Sequence, residues 1–132
     1  MTRLAAGPIA VALFLLAGCA AQGPSLARGA EDIVGTWKTT IGATEIQFNG
    51  DSTYVVTTPA FVARGEYRFE GTRLLLKALD QCDNIVVGAL GTYEVQLLEN
   101  GNIKFTPMEE ECPTRVGRMQ VQTIAAEWEP VP

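Results

Sequence analysis

Histidine is absent from the 132 residues. That excludes Ser-His-Asp and Cys-His catalysis, histidine-ligated zinc, and haem held by a proximal histidine. Cysteine is scarce, at Cys19, Cys82 and Cys112 only. Basic side chains are in the minority, 10 against 15 acidic, for a net charge of −5. Such a surface lacks the basic patch that phosphates demand, so no nucleic-acid partner is expected. It suits solubility, and it would steer towards a cationic partner. Long apolar runs are missing as well. The run Ile9 to Ala17 has nine residues, far short of the about 20 that span a bilayer. Paired carboxylates for acid–base work cannot be assigned, so the chain is not read as an enzyme, and no cofactor or metal is expected.

What is present begins at the N-terminus. Arg3 precedes the apolar run, and small residues follow it, the order of a secretory signal peptide. The run leads into Leu16-Ala17-Gly18-Cys19. This tetrad resembles the lipobox of bacterial lipoproteins, which is cut just before the cysteine. The resemblance implies that residues 1–18 are a signal peptide. It also implies that Cys19 becomes the first residue and carries lipid such as palmitate, anchoring the protein to a membrane of the cell envelope. Ala20 stands where an aspartate often signals inner-membrane retention, so the implied address is the outer membrane facing the periplasm. Lipid gives anchorage because each buried CH₂ contributes about 0.8 kcal/mol. The alternative is plain secretion, with cleavage near Ala20-Ala21.

Residues 19–32 read as the lipidated cysteine and a flexible Ala/Gly-rich tether, with a short helical turn around Ser25 to Ile33 compatible with the sequence. Residues 33–132 read as one domain. Cys82 and Cys112 form an even pair there. In an oxidising compartment such a pair is most simply a structural disulfide, which would stabilise by about 3–4 kcal/mol in the chain-entropy model. A redox-active pair is the alternative, but the spacing is not C-x-x-C.

From Ile33 onward short β-branched and aromatic runs alternate with turn signals. The pattern predicts strands over 36–41, 45–49, 53–58, 64–70, 73–79, 92–98 and 102–106. A short strand or irregular lead-in covers 85–90, and a mostly extended stretch covers 117–128. Asn49-Gly50-Asp51, Glu70-Gly71-Thr72 and Glu99-Asn100-Gly101 supply hairpin turns. Pro107 to Pro113 reads as an acidic loop. The expected fold is all-β, a small antiparallel up-and-down β-barrel of about eight strands, because closure removes the edges that a meander leaves exposed.

Gly35-Thr36-Trp37 opens the first strand, and Gly65-Glu66-Tyr67-Arg68-Phe69-Glu70-Gly71, Gly91-Thr92-Tyr93-Glu94-Val95 and Glu111-Cys112-Pro113-Thr114-Arg115 follow in order. This series resembles the lipocalins and their calycin relatives, most closely small bacterial lipocalin-like domains. The likeness covers about residues 33–131. It implies barrel closure by an arginine packed over Trp37, a role that falls on Arg115, with Arg118 as runner-up. It also implies binding of a small apolar or amphipathic molecule. The strands are shorter than in lipocalins and the inward residues bulky, which favours a filled barrel over a deep cup. Tyr54, Tyr67 and Tyr93 are the candidate ligand-binding residues, core packing being the alternative. Two other readings stay open: a protein-binding module similar to the lysozyme inhibitors, whose inhibitory loop motif is not evident, and a structural envelope lipoprotein without ligand. Glu109 to Glu111 with Asp80 and Asp83 read as a solvated rim rather than a calcium site, since their spacing matches no calcium loop.

Overall fold

The computed structural model describes residues 25–79, 88–112 and 127–132. Nine strands form one antiparallel sheet: β1 (Ser25–Leu26), β2 (Gly35–Thr39), β3 (Glu45–Phe48), β4 (Thr53–Thr57), β5 (Val62–Glu70), β6 (Arg73–Ala78), β7 (Leu90–Leu97), β8 (Ile103–Glu110) and β9 (Trp128–Pro130). Strands β2 to β8 pair in sequence order, and β9 sits between β8 and β2. The sheet therefore closes into an eight-stranded up-and-down barrel, with β1 as one extra strand, and the expected fold class is what forms.

Alternation does the sorting. On β5 the residues Gly65 and Tyr67 are buried while Glu66 and Arg68 are exposed. Leu74, Leu76 and Ala78 face inward on β6, as do Gly91, Tyr93 and Val95 on β7. A period of two fits a sheet with one buried and one solvated face. Burial of these side chains at about 25 cal/mol per Å² is the main force holding the ring shut.

Short turns join the strands at one end, through Asn49 to Ser52, through Gly71 and Thr72, and through Leu98 to Asn102. That end is plugged. Ser25 and Leu26 pair with Leu97 and Gln96, beyond the stretch of β7 that β6 occupies. The Ala27 N–H continues the pairing to the Val95 carbonyl at 2.8 Å. The chain then makes a 3-10 turn at Ala30–Asp32 and enters β2. Ala27 and Ile33 are fully buried in the core. The Trp37 indole N–H donates to the Ile33 carbonyl at 2.8 Å and fastens the plug to the wall. Ser25 to Asp32, which by sequence read as part of the tether, are thus packed on the barrel, and only the 3-10 turn is foreshadowed there.

The acidic loop expected from Pro107 is also different. β8 runs on through Glu110, with Pro107 inside it. Thr92 pairs with Glu109 but Tyr93 pairs with Pro107, so Met108 is an extra, bulged residue. A bulge is one of the few places in a sheet that accepts proline.

Candidate functional site

The barrel interior is graded by side-chain size. At mid-height it is filled with rings. Phe48 stands edge-on to Tyr67 with centroids 5.1 Å apart, and Phe105 is edge-on to Trp128 at 5.6 Å. Phe105 also meets Phe48 at 6.2 Å and Tyr93 at 6.4 Å. These geometries suit the aromatic quadrupole. Towards the end opposite the plug the inward positions shrink. Val56 pairs with Ala63, Gly65 with Ala78, and Gly91 with Glu110. The inward positions of the upper barrel are therefore small, with the Tyr54 ring lying over Gly65 and the Glu110 carboxylate over Gly91.

One carboxylate turns inward at this level, and the bulge puts it there. Ile103 and Phe105 face inward on β8, so strict alternation would turn Glu109 in and Glu110 out. The extra residue at Met108 reverses the phase, and Glu110 lies opposite buried Gly91. A Cβ on Gly91 would approach the Glu110 carboxylate closer than 3.0 Å, so the glycine makes its seat. The Tyr93 hydroxyl donates to Glu110 Oε2, and the Cys112 N–H donates to Oε1 at 3.1 Å. The arrangement offers an apolar wall with one oriented acidic group.

The three candidate tyrosines are all buried but do not act together. Tyr93 carries its hydroxyl up to Glu110. Tyr54 lies across Gly65, where a Cβ would come closer than 3.0 Å to its ring. Tyr67 points the other way, its hydroxyl donating to the Asn49 carbonyl at 2.7 Å in a turn of the plugged end. Burial raises the Tyr67 pKa, helped by the nearby Asp51 charge.

The two tryptophans differ in a way no sequence pattern signals. Trp37 has its acceptor in Ile33. Trp128 is fully buried, and its Nε1–H has no hydrogen-bond partner among the described residues. Steep strand tilt puts Trp128 at mid-height: one row joins Thr39, at the upper end of β2, through Trp128 to Ile103, at the lower end of β8. The adjacent Thr39 hydroxyl is taken up by Ile41, accepting from its N–H at 3.2 Å.

Cys112 is buried and disulfide-bonded, with its partner cysteine outside the described residues. Cys19, Cys82, Arg115 and Arg118 also lie outside them, as do Asp80 and Asp83. The three glutamates diverge: Glu109 is exposed, Glu110 turns inward, and Glu111 accepts from the Leu90 N–H at 2.8 Å. Among the described residues no group of three potential ligands is placed to hold a metal ion. A groove of about 300 Å³ crosses the outer face of β4 to β7, where Glu66, Arg68 and Lys77 mix both charge signs. Comparison of the chain with protein-family models, curated proteins and solved structures found no match.

Proposed function

We propose that the protein is a lipid-anchored, lipocalin-like binder that holds a small apolar or amphipathic molecule in the upper barrel, at the cell envelope. The observation that carries this reading is the size gradient inside the barrel. Large rings fill mid-height, while Val56, Ala63, Ala78 and Gly91 line the level above. A concave apolar site with few oriented polar groups is the usual form of a small-molecule site. Tyr54 and Tyr93 contribute to its floor and Glu110 to its wall. Tyr67 anchors a turn at the far end instead. Lipid on Cys19 and a Cys82–Cys112 disulfide complete the proposal, the first supported by the lipobox, the second by the bonded state of Cys112.

The test uses the full chain carrying Cys19→Ser, exported to a periplasm and purified without detergent. Native mass spectrometry of this protein is expected to show a bound mass that leaves on denaturation. The polypeptide itself is expected two hydrogens lighter than its reduced form, with the bridge mapped to Cys82 and Cys112 by peptide analysis. A bare polypeptide mass that takes up no added lipid would refute the binding reading. Metabolic labelling with palmitate, positive for the natural chain and negative for Cys19→Ser, tests the anchor separately.

A further inference from the structure

Seen from outside, the barrel is lopsided in charge. The outward positions of β5 and β6 carry Arg64, Arg68, Arg73 and Lys77, and those of β5 and β7 carry Glu66, Glu70 and Glu94. Elsewhere among the described residues the basic side chains are Arg28, Lys38 and Lys104, against the other ten of thirteen carboxylates. One wall of an acidic protein is therefore slightly basic. That wall is also apolar for a solvated face. Val55 on β4, Val62 on β5, Leu75 on β6 and Leu90 on β7 all point outward by register. Val62 is 47% exposed, and Leu79, just past β6, is 43% exposed. Arg68 stands opposite Leu75 and Lys77 opposite Leu90 across the strands. Stems of arginine and lysine can lie over such surface while their charges reach outward. Both cations and both leucines line the groove of about 300 Å³.

The chain itself leads to the same wall. β1 pairs with Gln96 and Leu97 of β7, below the point where β6 begins with Arg73 opposite Glu94. Exposed Ser25 therefore stands in line with β6, and Cys19 is six residues before it. Six residues reach no more than about 20 Å. We propose that the β5–β7 wall lies on the anionic phospholipid surface of the membrane that holds the Cys19 lipid. Arg64, Arg68 and Lys77 meet the phosphates, and Val62, Leu75 and Leu90 meet the headgroup boundary. This rests on the reading of Cys19 as lipidated. The plugged end is within the same reach, but Glu31 and Asp32 in the 3-10 turn, Asp51 in one hairpin turn and Glu99 in another stand there. Anionic lipid repels that end and attracts the basic wall within about a Debye length.

The experiment places the natural lipidated chain in nanodiscs of phosphatidylglycerol with a trace of gadolinium-chelating lipid, and reads amide cross-peak intensities. Arg68, Leu75 and Lys77 are expected to lose intensity. Thr36, Lys38 and Glu129, on the strands across the barrel, are expected to keep it. In about 1 M salt, where the screening length falls to about 3 Å, the loss should even out between the two walls while the protein stays in the disc. Arg68→Glu combined with Lys77→Glu, both at exposed positions, should do the same at low salt. Should the double variant not fold, the salt series decides alone. Loss centred on Gly71 and Gly101 would stand the barrel on its plugged end and overturn the inference. Even loss on every face at low salt would leave the barrel swinging on its tether and also overturn it. So would a wall pattern that survives either the salt or the charge reversal. A chain that takes no palmitate label and does not enter discs overturns the anchor reading, and this inference with it. That outcome is distinct from the others, because palmitate uptake is read before any spectrum.

Discussion

Gly65→Ala tests whether the interior is built by close approach. Gly65 is buried on β5, with Tyr54 lying across it and the Lys77 carbonyl beside it. An added Cβ would come closer than 3.0 Å both to the Tyr54 ring and to that carbonyl. Neither can move easily. The carbonyl belongs to a sheet ladder, and the ring is 3% exposed and packed within 6.4 Å of Phe48. Overpacking of this kind costs about 1–3 kcal/mol, and two rigid neighbours place the substitution in the upper half of that range. Against it, alanine narrows the unfolded ensemble by about 0.4–1 kcal/mol. The net expectation is a loss of about 2 kcal/mol, or roughly 8–10 °C in Tm for a domain of this size. Urea unfolding of the Cys19→Ser chain, followed by tryptophan fluorescence, measures it. Tyr54→Leu in the same background should recover part of the loss, since the ring is one of the two obstacles. A loss below about 0.5 kcal/mol, or no coupling between the two positions, would refute the reasoning.

Three further outcomes are expected. Trp37→Phe removes the donor to the buried Ile33 carbonyl and leaves a gap, so about 2–3 kcal/mol of stability should go, with hydrogen exchange at Ala27 and Ile33 rising before that of the barrel strands. Ser52 holds φ at 69° in the turn before β4, a conformation costing an L-residue about 1–2 kcal/mol, so Ser52→Gly should be stabilising by up to about 1 kcal/mol in chemical denaturation. Asp51 and Glu127 both have lowered pKa values, from hydrogen bonds of Thr53 and of Asn102 and Asn100 respectively. A carboxyl group depressed by folding stabilises above its unfolded pKa, near 4, and that contribution is lost as pH falls through the lower folded value. Combining Asp51→Asn with Glu127→Gln should therefore flatten the decline of stability below about pH 4, as read from urea midpoints across an acid series.

The strands are legible in the sequence wherever one face meets water. Glu66, Arg68 and Glu70 alternate with Gly65, Tyr67 and Phe69, and the period of two survives in the structure. Asn49-Gly50 and Glu70-Gly71 stand at turns as their composition implies. The barrel's working parts are harder to read because they break the period. Pro107 and three consecutive glutamates look like loop by composition, yet pairing with β7 carries the strand to Glu110, and the Met108 bulge reverses which glutamate turns inward. Nothing local marks that reversal, since it depends on register with another strand. Ser25 to Ile33 read as mostly tether because two residues of pairing and two buried apolar side chains leave no periodic trace. The contrast between Trp37 and Trp128 is purely tertiary, for both sit in similar extended sequence.

The strand that shuts the ring has consequences for the order of assembly. β9 holds three residues, joins β2 along Trp37 to Thr39, and meets β8 only where Trp128 faces Ile103. A chain that emerges from its N-terminus can pair β2 through β8 as each hairpin appears. It cannot complete the circle until the segment around Trp128 has followed, because Thr40 must find Glu127 across 87 positions of sequence. Until then β2 and β8 are two raw margins, open to pairing with any passing strand. Ring closure is thus the late and entropically expensive event. The interval before it is when this protein most needs shelter from its own copies.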